Sequence, residues 1–79
     1  MKLPRDLSGG ELVQCLCRHW QYSIVHQQGS HIILQTDVPS HQRLPVPNHD
    51  CLRIGTLNAI LRLVSSHKGV SREDILASL

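Results

Sequence analysis

Trp20-Gln21-Tyr22-Ser23-Ile24-Val25-His26-Gln27-Gln28-Gly29-Ser30-His31-Ile32-Ile33-Leu34-Gln35-Thr36 reads as two strands joined by a tight turn. Trp20, Tyr22 and Ile24 alternate with Gln21, Ser23, Val25 and Gln27, which predicts a strand opening at Trp20 with the first set on one face. Gln28-Gly29 supplies the turn, since glycine adopts positive φ at little steric cost. Ser30 to Thr36 is the returning strand. With Ile32 and Leu34 turned to the core, His31, Ile33 and Gln35 line the opposite face.

Upstream, Ser8-Gly9-Gly10-Glu11 has the spacing of a capping box, and Leu12, Cys15, Leu16 and His19 follow on one helical face. A helix is therefore expected from about Gly9 to His19. Downstream, Asp37 to Gln42 has loop composition, and Arg43-Leu44-Pro45-Val46-Pro47 suits a short third strand that its prolines confine to an edge. The helical period returns in Ile54, Leu57, Ile60, Leu61 and Val64, with Thr56 or Asp50 available as its cap and Gly69 as its stop. Ser71-Arg72-Glu73-Asp74 is a second capping start, opening a short helix that carries Ile75, Leu76 and Leu79. The order α-β-β-β-α-α in 79 residues predicts one α+β domain over residues 1–79, a three-stranded antiparallel sheet with helices on one face.

Composition narrows the function classes. Net charge is only +2, and Trp20 and Tyr22 are the only aromatics, so a base-stacking platform is not expected. Six histidines predict a surface that gains positive charge just below neutrality, so any polyanion should bind more tightly as pH falls. Cys15, Cys17 and Cys51 are odd in number and lack CxxC spacing, which points to free thiols in a reducing compartment. Neither Cys15-x-Cys17 nor His49-Asp50-Cys51 has the spacing of a strong zinc site, so no metal or other cofactor is expected. The N-terminal residues lack a secretory signal pattern and no apolar run approaches a membrane span, which makes the cytoplasm the expected location.

The chemistry-bearing segment is Gln28-Gly29-Ser30-His31. A histidine opening a strand beside Gly and Ser is held by the sheet yet open to a ligand. Its imidazole can take the proton of a ribose 2′-hydroxyl, so that this oxygen attacks the adjacent phosphate, or it can protonate the leaving oxygen. Arg43, Arg53, Arg62 and Lys68 are candidates for positioning phosphates.

Four segments in order carry a family resemblance: Ser8 to Val13, Gln28-Gly29-Ser30-His31, Val46-Pro47-Asn48-His49 with Ile54-Gly55-Thr56-Leu57, and Val70 to Asp74. From about Ser8 to Leu79 the chain resembles the HicA toxins, which cleave messenger RNA and are neutralised by a HicB antitoxin. The resemblance implies a double-stranded-RNA-binding-domain-like fold, His31 as the catalytic residue and a HicB-type partner. It also sets His49 at the family's second histidine, where RNA contact or a second proton transfer competes with a local structural role. Together these readings give a metal-free endoribonuclease acting on messenger RNA, with His31 as acid or base and Ser30, His49, Arg43 and Arg53 on the RNA. The sequence departs from the family in Ile32-Ile33, where many members carry an aromatic or a second histidine. It departs again in His26, Gln27 and Gln28, where many are richer in lysine. Two other readings remain open on the sequence: an RNA-binding module of the same fold that does not cut, and a protein-interaction domain.

Overall fold

Local signals and burial together place each element. The computed structural model describes residues 3–79, as α1 (Gly9–His19), β1 (Ser23–Gln28), β2 (His31–Thr36), β3 (Gln42–Pro47), α2 (Ile54–Lys68) and α3 (Arg72–Ala77). Ser8 caps α1 by accepting the Glu11 N–H at 3.0 Å while Glu11 reaches back to the Ser8 N–H at 3.2 Å. Ser71 and Asp74 repeat this capping box at α3. Each satisfies backbone donors that a helix start otherwise leaves unpaired. Gly69, with φ of 69°, ends α2 in the left-handed conformation that glycine adopts most readily.

The three strands form one antiparallel sheet in the order β1-β2-β3, so β3 is an edge, as its prolines require. Alternation along β2 and β3 buries Ile32, Leu34, Thr36, Leu44 and Val46. These meet Leu12 and Leu16 of α1, Leu57, Leu61 and Val64 of α2, and Ile75 of α3 in one core. Each fully buried aliphatic side chain contributes about 1.5–3 kcal/mol of transfer free energy. The opposite face of the sheet carries His31 and Arg43 in the open and Ile33 half-buried. The α+β, double-stranded-RNA-binding-domain-like architecture read from the sequence is the one observed.

Several local expectations are corrected. The first strand does not open at Trp20: that residue caps the C-terminus of α1, and Gln21 has a φ of 64° that breaks any extended run. The Trp20 Nε1 donates to Ser78 Oγ at 2.9 Å, joining the ends of α1 and α3. Tyr22 is buried just before β1, its hydroxyl donating to Gln42 Oε1 at 2.6 Å, and burial pushes the phenol pKa up to about 12. All of β1 is exposed, including Ile24, which lines an open groove with Val13 and Cys17 of α1. Neither Thr56 nor Asp50 caps α2; Arg53 occupies the N-cap position without a side-chain bond. Ile54 and His19 lie outside the buried stripes to which their spacing assigned them.

The start of α1 is fitted closely to the end of β3. Gly9 N–H donates to the His49 carbonyl at 2.9 Å, and a Cβ on Gly9 would lie 1.9 Å from the Pro47 oxygen. At Gly10 the nearest atoms to such a Cβ are 3.9 Å away. Gly9→Ala is therefore expected to destabilise the domain by about 1–3 kcal/mol through forced backbone movement. Gly10→Ala should instead be neutral or gain up to about 1 kcal/mol in helix propensity. Thermal melts of the two variants check this contrast.

Candidate functional site

The site is built where the hairpin turn meets the end of β3. Gln28 pairs with His31, leaving Gly29 and Ser30 as the two central residues of the turn. Only the first of them has positive φ, 56° at Gly29, the arrangement of a type II′ hairpin turn. This turn matches the right-handed twist of its strands and fixes where β2 begins. His31 pairs with Gln28 on one side and Pro47 on the other. Its backbone is thus held by both neighbouring strands while its side chain is exposed on the open face.

A second constraint acts through the turn itself. The Asn48 N–H donates to the Ser30 carbonyl, which ties the turn to the segment leaving β3. The next residue, His49, anchors α1 through its carbonyl, and its side chain is exposed. Ser30, His31, Asn48 and His49 therefore share one end of the molecule with the N-terminus of α1. Ser30 contributes its carbonyl to this tie, and its residue is exposed.

The proposed cationic residues are spread out. Arg43 shares the open face with His31 but pairs with Gln35, four residues along β2, which is roughly 13 Å away at strand rise. Its Nε donates to Gln35 Oε1 at 3.4 Å. Arg53 is exposed at the start of α2, separated from His49 by the loop that crosses to Leu7. Lys68 lies at the opposite end of β2 from His31. Its Nζ donates to Thr36 Oγ1 at 2.8 Å and to the Val38 carbonyl, and sits 4.7 Å from the Tyr22 ring centroid. Desolvation there lowers its pKa, and its role is to tie α2 to the loop after β2. Arg62 is exposed on α2, a helix of the layer behind the sheet.

Two features escaped the sequence reading. The register shifts between Ile24 and His26, so Val25 is an extra residue in β1. Alternation sets Gln27 on the face opposite Ile24; the bulge instead pairs Gln27 with Ile32 on the helix side and His26 with Ile33 on the face of His31. Asn48 is the other, an ordinary loop residue until its N–H is seen to hold the turn. Neither has a local signal, because both depend on pairing between distant residues.

The cysteines diverge as their helical spacing requires. The Cys15 Sγ lies 3.1 Å from Ser78 Oγ and 3.9 Å from the Ile75 carbonyl, whereas Cys17 lies on another side of α1 beside Ile24 and Ile32. All three cysteines are free, and burial pushes the Cys17 thiol up. Among the described residues no three His, Cys, Asp or Glu side chains gather as a metal site, and no helix is long and apolar enough to cross a membrane.

Because Gly29 sets the turn, Gly29→Ala is expected to cost about 1–2 kcal/mol from the left-handed backbone. Amide NMR should show the disturbance concentrated at Gln28, Ser30, His31 and Asn48. Shifts spread evenly over the helices would contradict the local role assigned to the turn.

Comparison with known proteins bears on the whole arrangement. No curated protein and no solved structure gave a significant match. The family model for the HicA toxin of bacterial toxin–antitoxin systems matches residues 10–64, which include most of α1, the full sheet and α2 through Val64. The closing helix α3, which also looked like the family's, lies beyond the matched stretch. With well over half the sequence matched, from the capped first helix through the Gly-Ser-His hairpin to the apolar stripe of α2, the chain belongs to the HicA toxin family.

Proposed function

We propose that this toxin is a metal-independent endoribonuclease that cleaves messenger RNA with His31 as its proton-transfer residue. The observation that carries the reading is the exposed imidazole at the first position of the central strand, its backbone paired on both sides. Such a group is held in place without being covered, and acid–base catalysis depends on position before it depends on pKa. The phosphodiester lies on the open face of the sheet. The 2′-oxygen bonds to phosphorus as the bond from phosphorus to the 5′-oxygen breaks, leaving a 2′,3′-cyclic phosphate and a 5′-hydroxyl. The 2′-proton passes to a base, and the departing oxygen receives a proton from an acid. His31 performs one of these transfers.

Ser30 keeps the turn in register beside the scissile group, and His49 faces RNA from the adjoining segment. Arg43 and Arg53 contact phosphates farther along the strand; the roughly 13 Å between Arg43 and His31 along the sheet suits positioning rather than stabilisation of the pentavalent phosphorus. A HicB-type antitoxin covers the His31 face, with the start of α1 at the rim of that interface, and the pair works in the cytoplasm.

His31→Ala is expected to lower cleavage of a defined messenger RNA at least 100-fold in excess chelator. Its melting behaviour should match the parent within about 0.5 kcal/mol, because the side chain is exposed. Undiminished cutting by the variant would remove His31 from the chemistry. Binding by both proteins without cleavage would mark the chain as an RNA-binding module, and the absence of both would favour a protein-interaction domain.

A further inference from the structure

The bulge at Val25 is the irregularity in an otherwise simple hairpin, and its effect is specific. Ile24 pairs with Leu34, a core position, so uninterrupted alternation would turn His26 toward the helical layer as well. The extra residue resets the count, and His26 pairs with Ile33 on the open face. There it is the diagonal neighbour of His31, a separation of about 7–8 Å between Cα atoms that long or aromatic side chains bridge. Bulges commonly re-aim a side chain beside an active site.

The open face is short of fixed charge. Its side chains, from the register, are Ser23, His26 and Gln28 on β1, His31, Ile33 and Gln35 on β2, and Arg43, Pro45 and Pro47 on β3. Arg43 is the only arginine or lysine among them, and it lies toward the far end of the sheet from His31. Among the described strand residues, the titratable or charged side chains that share this face with His26 are therefore His31 and Arg43, and none on it is acidic. The described helices pack on the other side of the sheet. A phosphate chain crossing this face at His31 meets no arginine or lysine of the strands near that point; the side chains there that can carry a positive charge are the imidazoles of His26, on the face itself, and of His49, on the adjoining segment.

We propose that His26 is a phosphate contact of the RNA site, placed there by the Val25 bulge, and that RNA is held more tightly when its imidazole is protonated. This rests on the assignment of the open face as the RNA site. The contact is a charge-assisted hydrogen bond from the imidazolium to a non-bridging phosphate oxygen beside the scissile group. His26 is a positioning residue here: it holds the strand across His31 and transfers no proton in the reaction.

The test uses His31→Ala protein, so that binding is measured without cleavage, and a short single-stranded RNA. Between pH 7.5 and pH 5.5 its affinity should rise roughly tenfold, the scale of one hydrogen bond to a charged group. Adding His26→Gln should remove most of that rise, although the other histidines of the chain are unchanged. Adding His26→Arg should give tight binding at both pH values, with a salt slope at pH 7.5 steeper by about 0.7 for the extra phosphate neutralised. In the otherwise native toxin, His26→Gln should raise KM with kcat little changed, and His26→Arg should keep kcat.

A pH response that survives His26→Gln would overturn the proposal and place the titrating contact elsewhere. A His26→Arg toxin that binds RNA well but has lost kcat would overturn it differently, by showing that His26 carries a proton in the reaction. If RNA binds yet the native toxin never cuts, the nuclease reading fails while the His26 contact is still decided by the binding series. If no RNA binds at either pH, both fall.

Discussion

A strand that is paired on both sides can bury only one of its two faces when helices cover a single side of the sheet. β2 is that strand, and the rest of the structure follows from its placement. Ile32, Leu34 and Thr36 take the covered side and organise the core with Leu44 and Val46 of β3. His31, Ile33 and Gln35 are consequently turned to the open side. Slipping the register by one residue would bury His31 and expose Leu34, so the same hydrophobic free energy that stabilises the domain keeps the imidazole accessible.

What the pairing fixes in direction, the neighbouring backbone fixes in position. Gly29 closes the hairpin in a two-residue turn, the Asn48 N–H holds the Ser30 carbonyl, and Gly9 lets α1 approach the end of β3 closely. The three meet at one end of the molecule, where a glycine, a backbone donor and a second glycine each act through the main chain. An exposed histidine on such a support differs from one on a mobile loop, because positional order is already in the fold before any ligand arrives. The family match spans residues 10–64, which include this turn and the end of β3.

The local codes were legible in the sequence: both capping boxes, the glycine stop of α2, the proline-limited edge strand and the alternation that turns His31 outward. Each is written in residues a few positions apart. The readings that failed depend on contacts between distant segments. Trp20 looked like the start of a strand, but its indole N–H reaches Ser78, and Gln21 bends the backbone so that Tyr22 enters the core instead. The bulge at Val25 exists only in relation to the strand it pairs with, so alternation misplaced Gln27, which pairs with Ile32 on the helix side, and gave no sign that His26 shares the face of His31. The cations were identifiable as residues but not as a group, since Arg43 sits well along the sheet from His31 and Lys68 is committed to Thr36 and Tyr22.

The central claim is that the open face of the sheet around His31 receives the RNA. It is tested most directly by NMR titration of the native protein with a 2′-deoxy analogue of a short RNA target, which lacks the attacking hydroxyl and stays uncut. The account predicts that the largest shift changes fall on Gln28, His31, Ile33 and His49 and that the outward surfaces of α1 and α2 are little affected. Changes concentrated on those helices, with the His31 ring unmoved, would contradict it.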